Sequence, residues 1–79
     1  MTNIEAVKAV LLNRGCQTAE SIALDAARLY QANPSPNEVR GICRSLIKQG
    51  IVGTSRDDVG RARYWLIDNP HYILHKREW

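Results

Sequence analysis

Arg40, Arg44 and Lys48 recur at intervals of four residues, the spacing that lines side chains along one face of a helix. Asn37 precedes Arg40 by about one turn. Arginine can bond guanine O6 and N7 together, asparagine can do the same for adenine, and lysine neutralises a phosphate. The group could therefore read and hold a nucleic acid from one exposed helix face, although the same spacing also describes an ordinary solvated face. Arg56, Arg61 and Arg63 follow. Between Arg40 and Arg63 six basic residues stand against Asp57 and Asp58, a net charge of +4, whereas the rest of the chain carries −1.

Other chemistry is poorly served. His71 and His75 have the spacing of two metal ligands on a helix, but no Cys, Asp or Glu stands where it would complete a site, so no metal is expected. Asp57 and Asp58 fit a hairpin tip as turn formers rather than a carboxylate pair. Cys16 and Cys43 lie far apart without metal-ligand spacing, which predicts reduced thiols in a cytoplasmic protein. Neither a Gly-rich phosphate loop nor a nucleophile motif is present, and the expectation is a non-enzymatic protein without a cofactor. No apolar run approaches the ~18 residues of a membrane span, and TNIEAVKAV lacks the pattern of a secretory signal.

Seventy-nine residues predict one domain over 1–79 with a single modest core. Asn3 can cap a first helix running to Arg14, with Ile4, Val7, Val10, Leu11 and Arg14 on one face, and Gly15 stops it. Thr18 can cap a second helix through AESIALDAARLYQA, striped by Ile22, Ala26, Leu29 and Tyr30 and ended by Asn33 and Pro34. The third helix, over 36–49, is the best marked. Ser35 is the N-cap, Pro36 fits the first position, and Glu38 completes a capping box. Val39, Ile42, Cys43 and Leu46 then face the core, opposite Asn37, Arg40, Gly41, Arg44 and Lys48. Gly41 is notable there, because an interior helical Gly costs about 1 kcal/mol relative to Ala.

After Gly50 the period changes to alternation. IVGTS and RARYWLI predict two strands joined by RDDVG as a β-hairpin over 51–67. Tyr64 and Leu66 are expected on the core face, leaving Trp65 and Ile67 for another partner. Asn69 and Pro70 predict a short terminal helix over HYILHKREW, residues 69–79 forming a terminal segment.

Three helices followed by a basic hairpin, with NEVRGICRSLIKQGIVGT leading into GRARYWLID, resemble the winged helix-turn-helix superfamily of small bacterial or phage-type DNA-binding domains. The resemblance covers most of Ile4 to Asp68. It implies an α+β fold, a three-helix core with a C-terminal two-stranded β-hairpin wing, and a third helix that enters the major groove of double-stranded DNA while the wing meets the backbone or minor groove. Carried over by position, the DNA-binding residues are Asn37, Arg40, Gly41, Arg44, Ser45 and Lys48 on the helix and Arg56, Arg61 and Arg63 on the wing. A small transcriptional regulator or DNA-binding accessory factor is the implied role.

The rival reading is a winged-helix module that docks a larger protein complex, since one fold hosts both uses. Its interface would be built from Trp65 and Ile67 with Tyr72, Ile73 and Trp79. The same apolar residues are the candidates for a homodimer contact through the terminal segment, or for a lid within one chain.

Overall fold

The computed structural model describes residues 2–68. Its elements run α1 (Asn3–Arg14), β1 (Gln17–Thr18), α2 (Ala19–Tyr30), α3 (Pro36–Lys48), β2 (Val52–Arg56) and β3 (Ala62–Leu66). Three helices and an antiparallel sheet of order β1-β3-β2 make the α+β winged-helix architecture. The predicted terminal helix, with Tyr72, Ile73, Trp79 and both histidines, lies outside the described residues.

Each helix begins on a hydroxyl cap. Thr2, not Asn3, caps α1, and its hydroxyl accepts the Glu5 N–H while Glu5 accepts the Thr2 N–H. That T-x-x-E capping box places the start one residue earlier than the sequence reading. Thr18 caps α2 and Ser35 caps α3, where Pro36 and the Ser35–Glu38 box sit as expected. α2 stops at Tyr30, short of the predicted end, because Gln31 adopts a left-handed conformation (φ 54°) and breaks the helix before Asn33. At the end of α3 the Ile51 N–H bonds back to the Leu46 carbonyl at 3.0 Å, and Gly50 supplies the positive φ that this turn needs.

The core joins Val7, Val10 and Leu11 of α1, Ile22 and Ala26 of α2, Val39, Cys43 and Leu46 of α3, and Val52 and Tyr64 of the sheet. Ile42 and Leu66 pack against it from the side. Two predicted stripes were too wide: Ile4 and Leu29 are about half exposed, whereas Ala6 and Ala19 are buried. Small residues there let the helices approach closely.

β1 is the element absent from the sequence reading. Its two residues pair with β3, Gln17 opposite Tyr64 and Thr18 opposite Arg63, so β3 of the predicted β2–β3 hairpin is the central strand of a three-stranded sheet and anchors the wing to the helical core. Behind it, the buried Asp25 accepts from Gln17 Nε2 at 2.8 Å and Arg14 Nε at 3.3 Å, which ties α1, β1 and α2 together. The β2–β3 register sets Val52, Thr54 and Arg56 opposite Leu66, Tyr64 and Ala62 on the face turned to α3. Gly53, Ser55, Arg63 and Trp65 take the other face.

Candidate nucleic-acid interface

On α3, the residues opposite the buried Val39, Cys43 and Leu46 stand outward: Asn37, Gly41, Arg44, Ser45 and Lys48 are exposed and Arg40 is half-buried. A side-chain β-carbon at Gly41 would meet nothing within 4 Å, so the helix surface is open at that point.

The wing rises beside this helix. Between them runs a groove whose walls include Arg40 and Arg44 of α3, Arg56 and Arg61 of the wing, and Thr54 and Tyr64 on the sheet. Two clusters separated in the sequence thus meet across one concavity. Among the described residues, Arg44, Lys48, Arg56 and Arg61 have no carboxylate partner. Arg56 donates to the Gly60 carbonyl at 2.6 Å, which fixes its side chain along the wing tip.

Arg40 is engaged. Its Nη1 donates to Asn37 Oδ1 at 2.8 Å and its Nη2 pairs with the Glu20 carboxylate in the first turn of α2. Glu20 also lines the groove. Sequence reasoning missed it, because nothing in local periodicity links position 20 to position 40; the pairing comes from the packing of α2 on α3.

Arg63 does not line this groove, and of the wing arginines Arg56 alone borders both it and the concavity that holds Arg63. Arg63 projects from the opposite face of the sheet, lines that second concavity with Arg14, Cys16 and Ser55, and its Nε donates to Asp57 Oδ2 at 3.1 Å. Asp57 organises the turn: its Oδ1 accepts the N–H of Val59 at 3.1 Å and of Arg61 at 2.9 Å. These bonds, the Arg61 N–H foremost, hold its carboxyl below the usual carboxylate range. The two aspartates predicted as turn formers therefore include one that positions both Arg61 and Arg63.

Trp65 is half-buried with its indole against Gly53, where an added β-carbon would lie 2.6 Å from the ring. Ile67, 43% exposed, is the last large apolar residue described. Burial pushes the Cys43 thiol up to about 12 and raises that of Cys16 as well, so both stay protonated at neutral pH. Among the described residues no group of three His, Cys, Asp or Glu side chains could hold a metal ion, and no helix is long and apolar enough to cross a membrane.

No protein-family model and no curated protein matches this sequence. Solved structures do resemble it. hsRosR, solved in a complex, aligns with the whole of this chain and 70% of its own at a TM-score of 0.68 and 16% identity. A winged-helix DNA-binding protein from STIV aligns with 95% of this chain and 80% of its own, with a TM-score of 0.63 and 12% identity. The adhesin competence repressor AdcR of Streptococcus pyogenes aligns with 99% of this chain and 59% of its own, at a TM-score of 0.56 and 21% identity. The winged-helix fold is common ground among them.

Proposed function

We propose that this domain binds double-stranded DNA as a small transcriptional regulator or accessory factor, with α3 in the major groove and the wing on the adjoining backbone. The observation that carries this reading is the groove in which Arg44 of α3 faces Arg56 and Arg61 of the wing. An α-helix with its side chains is about as wide as the major groove of B-DNA. With the exposed face of α3 in that groove, the bordering phosphodiester chain falls between helix and wing, where the arginines stand. Asn37, Arg40, Gly41, Arg44, Ser45 and Lys48 form the helix contribution. Arg56 and Arg61 form that of the wing, and Arg63 supports it through Asp57. Two of the structural neighbours carry a DNA-binding or repressor function in their names, which agrees with this role and with a binding module rather than an enzyme.

A homodimer is part of the proposal. Ile67 stands exposed where β3 leads into the terminal segment, and Tyr72, Ile73 and Trp79 are its apolar continuation in the sequence.

Titration of random-sequence duplex at several salt concentrations tests the reading. Affinity should fall steeply as salt rises, because each phosphate contact releases condensed counterions. Absence of duplex binding at low salt, together with salt-insensitive binding to a protein, would instead make the fold a docking module.

A further inference from the structure

The Arg40–Glu20 pair places the one carboxylate that lines the groove among the described residues on a member of the base-reading set. We propose that Glu20 is a specificity-determining residue: it withholds Arg40 from phosphates and keeps its remaining donors for a base edge. The inference rests on the duplex-binding reading above and assigns to Glu20 a role that reading does not contain.

Arg40 is held from two sides, by Asn37 on its own helix and by Glu20 on α2. A guanidinium has more N–H donors than these two bonds consume, so those left over can meet guanine O6 and N7 without breaking either bond. A guanidinium pinned in this way is also pre-oriented, which lowers the entropy lost when a planar, bidentate contact forms. Among the described residues Arg44, Lys48 and Arg61 have no such restraint and Arg56 is held by the Gly60 carbonyl alone, so these four can take phosphates on any sequence. The carboxylate has a second effect. Its negative charge stands inside the groove proposed for the phosphodiester chain and opposes every duplex equally. That equal penalty lowers affinity without changing the ratio between specific and random sites; the ratio widens because Arg40 is lost to phosphates on random sequence and kept for the right base edge. The two side chains are 43% and 55% exposed, so once the carboxylate is removed Arg40 has open solvent to turn through and becomes free to join the phosphate contacts.

The experiment compares the full chain with Glu20→Gln, Glu20→Ala, Arg40→Ala and the Glu20→Gln/Arg40→Ala double variant. Each is titrated with random-sequence duplex across salt, and each is used to select binders from a duplex pool with a randomised site. Glu20→Gln and Glu20→Ala should bind random duplex about tenfold tighter, with a salt slope steeper by about 0.9, the contribution of one more phosphate contact. Their selected pools should lose preference at a base position that the wild-type pool defines. In the Arg40→Ala background the steepening should vanish. Wild-type binding with an unchanged slope in both Glu20 variants overturns the proposal alone, as does an equal gain without Arg40. A wild-type chain that binds no duplex at any salt overturns the DNA reading and this inference with it.

Discussion

Gly41 and Gly53 illustrate how one atom changes sign with its surroundings. Gly41 lies on the exposed face of α3 with open space beside it, so Gly41→Ala should stabilise the free protein by up to about 1 kcal/mol through helix propensity and reduced unfolded-state entropy. If the groove edge of a duplex approaches the helix at that point, the same variant should bind duplex less well while melting higher. Unchanged affinity in a more stable protein would remove Gly41 from the interface. Gly53 is the opposite case. Its missing side chain is filled by the Trp65 indole, 2.6 Å from where a β-carbon would sit, and Gly53→Ala must displace the ring at a cost of about 1–3 kcal/mol. Denaturant melts should show that cost, and it should largely disappear when Trp65 is also replaced by Ala.

At the scale of the element, the wing depends on Asp57. Its carboxylate accepts the Val59 and Arg61 N–H groups and the Arg63 side chain, so Asp57→Asn should loosen the turn, lower duplex affinity and leave the core's denaturant midpoint nearly unchanged. Direct contacts should separate from support in the same assay. Arg61→Ala is expected to flatten the salt slope by about 0.9, whereas Arg63→Ala should lower affinity with little change of slope, since Arg63 is bound to Asp57 on the other face. The pH dependence follows in sign from Asp57. Its folded-state pKa lies below the unfolded value, so the stabilisation is complete above the unfolded carboxylate range, near pH 4, and is lost as pH falls through the folded value. Glu5, whose carboxyl the Thr2 N–H holds low at the start of α1, adds to the same acid limb. Asp57→Asn should therefore make acid unfolding of the wing shallower, read as amide exchange at Val59 and Arg61. Much of this architecture was legible locally. Ser35, Pro36 and Glu38 mark the start of α3 by contacts within one turn, and RDDVG marks the hairpin. β1 was not legible, because two residues carry no period and Gln17 and Thr18 become a strand only when β3 arrives. The Arg40–Glu20 pair and the burial of Asp25 are likewise products of helix packing, which no local pattern encodes.

For the whole molecule, the charge distribution fixes what a binding isotherm should look like. The described residues extend 32 × 24 × 24 Å, close to one turn of B-DNA, so under the proposed reading a single copy would cover one half-site and two copies on adjacent turns would stand about 34 Å apart. Among the described residues Arg44, Lys48, Arg56 and Arg61 are the groove and helix cations without a carboxylate partner. If each takes one phosphate, the slope of log affinity against log salt should be about −3.6, equivalent to roughly a hundredfold loss between 50 and 200 mM salt. A homodimer that engages both half-sites doubles the phosphates neutralised per binding event, and its slope should be about −7. Sedimentation of the free chain and of the complex supplies the stoichiometry that assigns each slope to one copy or two. A slope near −7 with a dimer in solution would support self-association through Ile67 and the terminal segment. A slope near −3.6 with a monomer at all concentrations would leave Ile67 solvent-facing and make each copy an independent reader of one half-site. A slope near zero in either state would mean that the arginines brought together by α3 and the wing do not meet phosphates at all.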